Sequence, residues 1–200
     1  MRFTLLVGSW CSVASGQSAS VWCEVPPETY GGDIVVEVWA TWTGIFDGAP
    51  SALAGFGLDL GIEANHAGSV ITGDATLNPS LLLGSSAGVF TDTSLHDVKG
   101  GQLANLFGFA NPGINLDHPI PLFTFPMTLG LSQVGDWVEI SVTDVNPNGG
   151  VVVYPNNEFG ATVAAPNDIP LHRRTTRIML VPGPSVMALF SIATCRRRSR

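Results

Sequence analysis

The chain has 200 residues, 45% of them hydrophobic and 12% charged, with a formal net charge of −7; that is length enough for one domain with a full core. All sixteen acidic residues lie between Glu24 and Asp168, where Lys99 is the one cation, so this interval carries −15 while arginines gather near the end. Such a body repels phosphate backbones and lacks the Arg and Lys contacts on which nucleic-acid affinity depends, which excludes nucleic acid as a partner, and three cysteines are too few for a disulfide framework.

At the N-terminus, Arg2 precedes FTLLVGSWCSVASG, a charged start, a modest apolar stretch and the small residues Ala14-Ser15-Gly16. This order predicts a signal peptide over residues 1–19. The body then spans 20–180, and residues 181–200 form a separate tail. Cys11 and Cys195 leave with the two ends, so Cys23 is expected as a lone thiol. It alternates with Trp22 in a strand-like Ser20 to Val25, where a small buried core residue is the default role.

The body shows no long helical pattern. Short runs of β-branched and aromatic residues alternate with polar ones between Gly, Pro, Asn and Asp clusters, which predicts an all-β chain. In the second strand Ile34, Val36, Val38, Ala40 and Trp42 share one face, with Val35, Glu37, Trp39 and Thr41 on the other. Next, Phe56, Leu58, Leu60 and Ile62 line one face, opposite Gly55, Gly57, Asp59 and Gly61. Val70 to Leu77 is a weaker strand, Asn78 to Gly101 reads as a long Gly/Ser/Thr-rich connection with a turn of helix near Ser80 to Leu83, and Gln102 to Phe107 is another weak strand. Phe123, Phe125, Met127 and Leu129 alternate cleanly. Pro126 in their midst cannot donate to a ladder, which predicts an edge or a bulge.

Gly135-Asp136 turns into Trp137 to Val145, with Val138, Ile140 and Val142 inward; Asn146 to Gly150 turns into Val151 to Tyr154, and Arg177 to Leu180 adds a last strand. Eight or nine half-buried strands need a second layer, so the expected fold is a two-sheet antiparallel β-sandwich of jelly-roll type. Three segments, GGDIVVEVWATWTG, LAGFGLDLGIE and PLFTFPMTLG, follow one another as in cohesins, and the body resembles the cohesin-like branch of the carbohydrate-binding sandwich superfamily. Glu63-Ala64 stands where that family has Tyr-Asp. The resemblance implies that the strand with Gly55, Gly57 and Asp59 outward forms part of a flat face contacting a dockerin-like protein.

Chemistry-bearing residues are sparse. His66, His96, His118 and His172 form no metal-ligand pair at strand or helix spacing. Asp59 with Glu63, or Asp136 with Glu139, could serve as paired carboxylates of a glycosidase if a cleft brought them to roughly 5–10 Å. Asp144, Asn146 and Asn148 with Gly149 reproduce the first half of a calcium loop, but Pro155 occupies the closing position, and an Asx-stabilised hairpin turn is the stronger account. No other cofactor is expected. Trp39 and Trp137 fall on the outward side of their strands, where exposed indoles suit sugar stacking or a protein anchor; cover by neighbouring loops is the competing account.

The tail holds Pro182-Gly183-Pro184, an apolar run from Val186 to Ala193, and then Arg196, Arg197, Arg198 and Arg200. It resembles the PEP-CTERM sorting signal of bacterial surface proteins, with Gly183 in place of the motif's Glu. The resemblance implies an exosortase-type processing enzyme as partner, with the apolar run too short for a permanent span and suited to transient membrane association. The expectation is therefore an exported, non-catalytic module of the cell envelope, surface or matrix that binds a dockerin-like protein or polysaccharide. A secreted carbohydrate-active enzyme and a self-assembling coat or biofilm component are the alternatives.

Overall fold

A computed structural model describes residues 18–25, 32–43, 45–46, 49–102, 119–143, 150–155 and 171–180. These are thirteen strands, with no helix among the described residues: β1 (Ser18–Glu24), β2 (Gly32–Thr43), β3 (Ile45–Phe46), β4 (Ala49–Ala64), β5 (Val70–Ile71), β6 (Thr76–Leu77), β7 (Ser86–Phe90), β8 (Ser94–Gly101), β9 (Ile120–Leu129), β10 (Trp137–Val142), β11 (Gly150–Pro155), β12 (Leu171–Arg173) and β13 (Thr176–Met179). β1 already includes Ser18 and Ala19, two residues inside the segment read as signal peptide; Ala19 is buried. The rest of 1–17 and the tail from 181 lie outside the described residues, as do His118 and 103–107.

Two mostly antiparallel sheets pack face to face as a β-sandwich. The first runs β12-β1-β2-β9-β5, with β6 also on β9; the second runs β13-β10-β4-β8-β7, with β3 and β11 also on β4. Among the described strands β1 and β12 alone pair in parallel, and an isolated parallel bridge joins Leu82 to Gly101. The period-two pattern is what decides the layers. Val36, Val38, Ala40 and Trp42 from β2, Phe56, Leu58 and Leu60 from β4, Phe123, Phe125 and Met127 from β9, and Val138 and Ile140 from β10 are all buried between the sheets. Phe56 and Phe123 stack across the interlayer with centroids 5.6 Å apart and planes 18° from parallel.

Several expectations are corrected. The stretch 78–101 is no simple connection: it holds the β7–β8 hairpin, and in place of a helix near 80–83 there are turns at 79–80 and 83–84 with Leu82 bridged to Gly101, the Leu81 amide donating to Asn78 O at 2.9 Å. Serine and glycine masked the hairpin, since its inward set is only Leu95 and Val98. Val70 to Leu77 is two short strands, β5 and β6, not one. Pro126 lies on an internal strand, and the bulge of β9 falls elsewhere, opposite Val38 and Trp39. The Thr72 amide donates to Pro126 O at 3.1 Å, so the side of Pro126 that lacks an N–H faces the gap between β5 and β6 rather than a continuous ladder.

The segment 71–75 also closes one side of the sandwich. The Ile71 amide donates to Asp92 O at 2.9 Å and the Ala75 amide to Ala87 O at 3.1 Å, linking the first layer to the β7 rim of the second. At the other side the chain steps from β12 in one layer to β13 in the other, and Thr176 Oγ1, buried, donates to Cys23 O at 2.6 Å.

The expected hairpin after Trp137 to Val145 is corrected too. β10 and β11 both pair antiparallel with β4, against 60–64 and 51–57, so they run in the same direction and share one edge of it. The Thr143 amide still follows that edge, donating to Asp59 O at 3.1 Å. Asp144, Asn146 and Asn148, the calcium candidates between them, lie outside the described residues.

Candidate functional site: an aromatic platform on the outer sheet face

Trp39 and Trp137 do not share a surface. Trp39 is on β2, on the outer face of the first sheet, and Trp137 is on β10, on the outer face of the second. Trp137 lies under Arg177, whose guanidinium carbon is 4.2 Å from the ring centroid, a cation–π contact that occupies the indole. Its partner across the ladder is Met179.

What stands beside Trp39 is Trp22. In the β1–β2 register Trp22 pairs with Trp39 and Glu24 with Glu37. WCE on β1 and EVW on β2 run in opposite directions, so the antiparallel ladder sets indole against indole and carboxylate against carboxylate. Each indole is fixed along its own strand: Trp22 Nε1 donates to Glu24 Oε1 and Trp39 Nε1 to Glu37 Oε2, both at 3.0 Å. The alternate residues Cys23 and Val38 are buried beneath. The result is a locally two-fold motif with both indoles half-buried and both carboxylates exposed.

The row continues on either side. Arg174, just past β12, sets its guanidinium 5.5 Å from the Trp22 centroid, and Pro121 on β9 is the register partner of Trp39. Arg174, Trp22, Trp39 and Pro121 thus cross four adjacent chain segments, about 14 Å at the usual strand spacing. Thr124 pairs with Glu37 in the neighbouring row. Opposed like charges cost a sheet roughly 0.2–1 kcal/mol, and among the described residues neither Glu24 nor Glu37 has an ion pair. The charge-assisted indole bonds offset that repulsion and orient the carboxylates.

The proposed glycine face is placed differently from its flat reading. Gly55 and Gly57 are buried, with β11 on one side and β8 on the other. A Cβ on Gly55 would meet Gly100 O at 2.8 Å, so the backbone of β8 lies tight against it. Asp59 does point outward, 15% exposed, but it is engaged. Its Oδ2 is 3.1 Å from His96 Nδ1, and its Oδ1 accepts from the Asp97 amide at 2.7 Å. Here β8 carries one extra residue, for Leu58 pairs with Val98 while Leu60 pairs with Leu95. Asp97 takes the strain of that bulge at φ +58°, a left-handed conformation that Asp tolerates better than most residues. Asp59 anchors a bulge.

The carboxylate pairs drawn from sequence are also separated. Asp59 and Glu63 are four residues apart on the extended β4, about 13 Å along the strand, beyond the range that glycoside hydrolysis uses. Asp136 closes a turn, with Oδ2 accepting from the Ser132 amide at 2.9 Å and the Gln133 amide at 2.7 Å. These bonds hold its pKa below the ordinary value of 3.8, with a smaller contribution from His66. Glu139 instead pairs across the ladder with Glu63 on one side and Arg177 on the other. Of the histidines, His66 Nε2 is 2.7 Å from Ser69 Oγ and His172 lies on β12 opposite Ser20. Among the described residues no three His, Cys, Asp or Glu side chains converge as a metal site.

Sequence reasoning paired the wrong indoles because alternation reports which face of its own strand a residue occupies, and not which sheet that strand joins. The usable signal was the reversal itself, W-x-E on one strand followed by E-x-W on the next. No protein-family model matches the chain, and no curated protein matches it.

Proposed function

We propose that this protein is an exported, non-catalytic surface module that binds polysaccharide on the outer face of its first sheet. One observation carries the reading: Trp22 and Trp39 stand side by side, half-buried, on adjacent internal strands with their N–H groups already committed to Glu24 and Glu37. Indoles fixed in this way offer apolar faces at little ordering cost, and patches of this kind mark interaction surfaces. A dockerin-like protein fits the structure less well, since Gly55 and Gly57 of the implied contact strand are buried. Export and sorting rest on the terminal segments, with Pro182, Gly183, Pro184 and the arginines 196–198 and 200 as the signal for an exosortase-type enzyme.

Affinity electrophoresis of the full chain through gels containing soluble polysaccharides tests the binding reading. Retardation that disappears in Trp22→Ala and Trp39→Ala, with folding intact by circular dichroism, supports it. Retardation unchanged in both variants, or absent from every polysaccharide, overturns it. Mass spectrometry of the protein recovered from cell surfaces tests sorting, with intact termini in a cytosolic chain as the refuting result.

A further inference from the structure

We propose that the polysaccharide is one bearing free, protonated amines, an amino-sugar polymer rather than a neutral or fully N-acetylated one; this rests on the reading of the Trp22–Trp39 face as a glycan site. The donor and acceptor inventory of the four central side chains, Trp22, Trp39, Glu24 and Glu37, carries the inference, with Arg174, 5.5 Å from the Trp22 centroid, as a cation at the platform's edge. Both indole N–H groups are spent on Glu24 and Glu37 at 3.0 Å, so the four central side chains present π faces and carboxylate oxygens but no hydrogen-bond donor. Each carboxylate uses one oxygen for its indole, and among the described residues the other has no hydrogen-bond partner.

The two carboxylates are direct register partners, exposed, and without an ion pair among the described residues. A ligand that complements this surface must bring donors and positive charge to the Glu24–Glu37 row while laying an apolar ring face on the Trp22–Trp39 row. A neutral sugar supplies the ring face and hydroxyls but leaves the opposed charges uncompensated. An N-acetylated sugar replaces the cation by a neutral amide. Only the free amine provides both charge and donors, and a ring with an ammonium also suits the indole face itself. The acidic body, with Lys99 as the one cation between Glu24 and Asp168, adds long-range attraction for such a polymer.

Isothermal titration of the full chain with glucosamine oligomers, N-acetylglucosamine oligomers and cello-oligomers of equal length decides the matter. The expected result is at least about tenfold tighter binding of the free-amine oligomer, with the preference abolished in the double variant E24Q/E37Q and retained in E63Q/E139Q, which removes the same charge from an opposed pair on the other sheet. Equal affinity for all three oligomers, lost in Trp22→Ala, would overturn the amine proposal and leave the glycan platform standing. Equal losses in the two double variants would overturn it as well, by reducing the preference to overall charge. No binding of any oligomer would overturn both readings.

Discussion

Trp39 and Trp42 are three residues apart on β2 and belong to different worlds: Trp42 is 1% exposed in the interlayer, whereas Trp39 lies on the outer face. An odd spacing on a pleated strand is all that separates a core residue from a surface one.

That contrast has a direct test. Trp42→Ala removes a large, fully buried ring and should cost about 3–5 kcal/mol, while Trp39→Ala, which gives up one exposed hydrogen bond and partial burial, should cost no more than about 1 kcal/mol. Urea unfolding of the two variants measures both. Similar losses would mean that the outer indole is structural.

The Cys23 thiol should be inert in the folded protein. Burial pushes its pKa up to about 12 from 9.0, so almost no thiolate exists near neutral pH. Ellman's reagent should react with it only after denaturant is added. Because the folded pKa is the higher one, the unfolded chain loses this proton first, and the stability it contributes is full below pH 9 and falls as pH rises toward 12. An alkaline unfolding transition that moves upward in Cys23→Ala is the expected signature.

Asp136 works in the opposite direction. Its carboxylate is held below its ordinary range chiefly by the Ser132 and Gln133 amides, so its contribution is present above about pH 4 and is lost as pH falls through the depressed value. Asp136→Asn should lower the melting temperature at pH 7, and the difference from the parent protein should shrink toward pH 2. A constant difference across that range would rule out the turn-closing role.

Gly100 should not accept a side chain. A Cβ there would run into Leu81 O and sit 3.1 Å from the Phe56 ring, which is itself stacked on Phe123. Gly100→Ala should destabilise by about 1–3 kcal/mol through overpacking, seen as a lower urea midpoint. Gly84, at φ +60° with open space around it, should accept Ala with only the backbone penalty.

The layers were legible wherever strong alternation met burial, as at Val36 to Trp42, Phe56 to Ile62 and Val138 to Val142. They were illegible where small residues carried the strand. Val98 and Leu95 alone could not announce β8 among Ser, Gly and Asp, and β12, at Leu171 to Arg173, is too short to show a period. Strand partnership was the deeper gap. Beyond the W-x-E and E-x-W reversal that links Trp22 to Trp39, nothing local told that Trp137 joins the other sheet, because pairing depends on register between distant segments. Likewise, the outward glycines suggested a flat contact face, but at Gly55 the backbone of the neighbouring strand lies tight against it.

The bridge from 71–75 to the β7 rim has one more consequence. An uncovered rim strand is a template on which a stranger's chain can add itself, the first step toward fibrils. Here the carbonyl of Ala87 is already taken by Ala75, and Gly88, at φ +83°, bends the rim away from the flatness that templating requires. That flank is therefore a poor template for cross-β growth by a second copy.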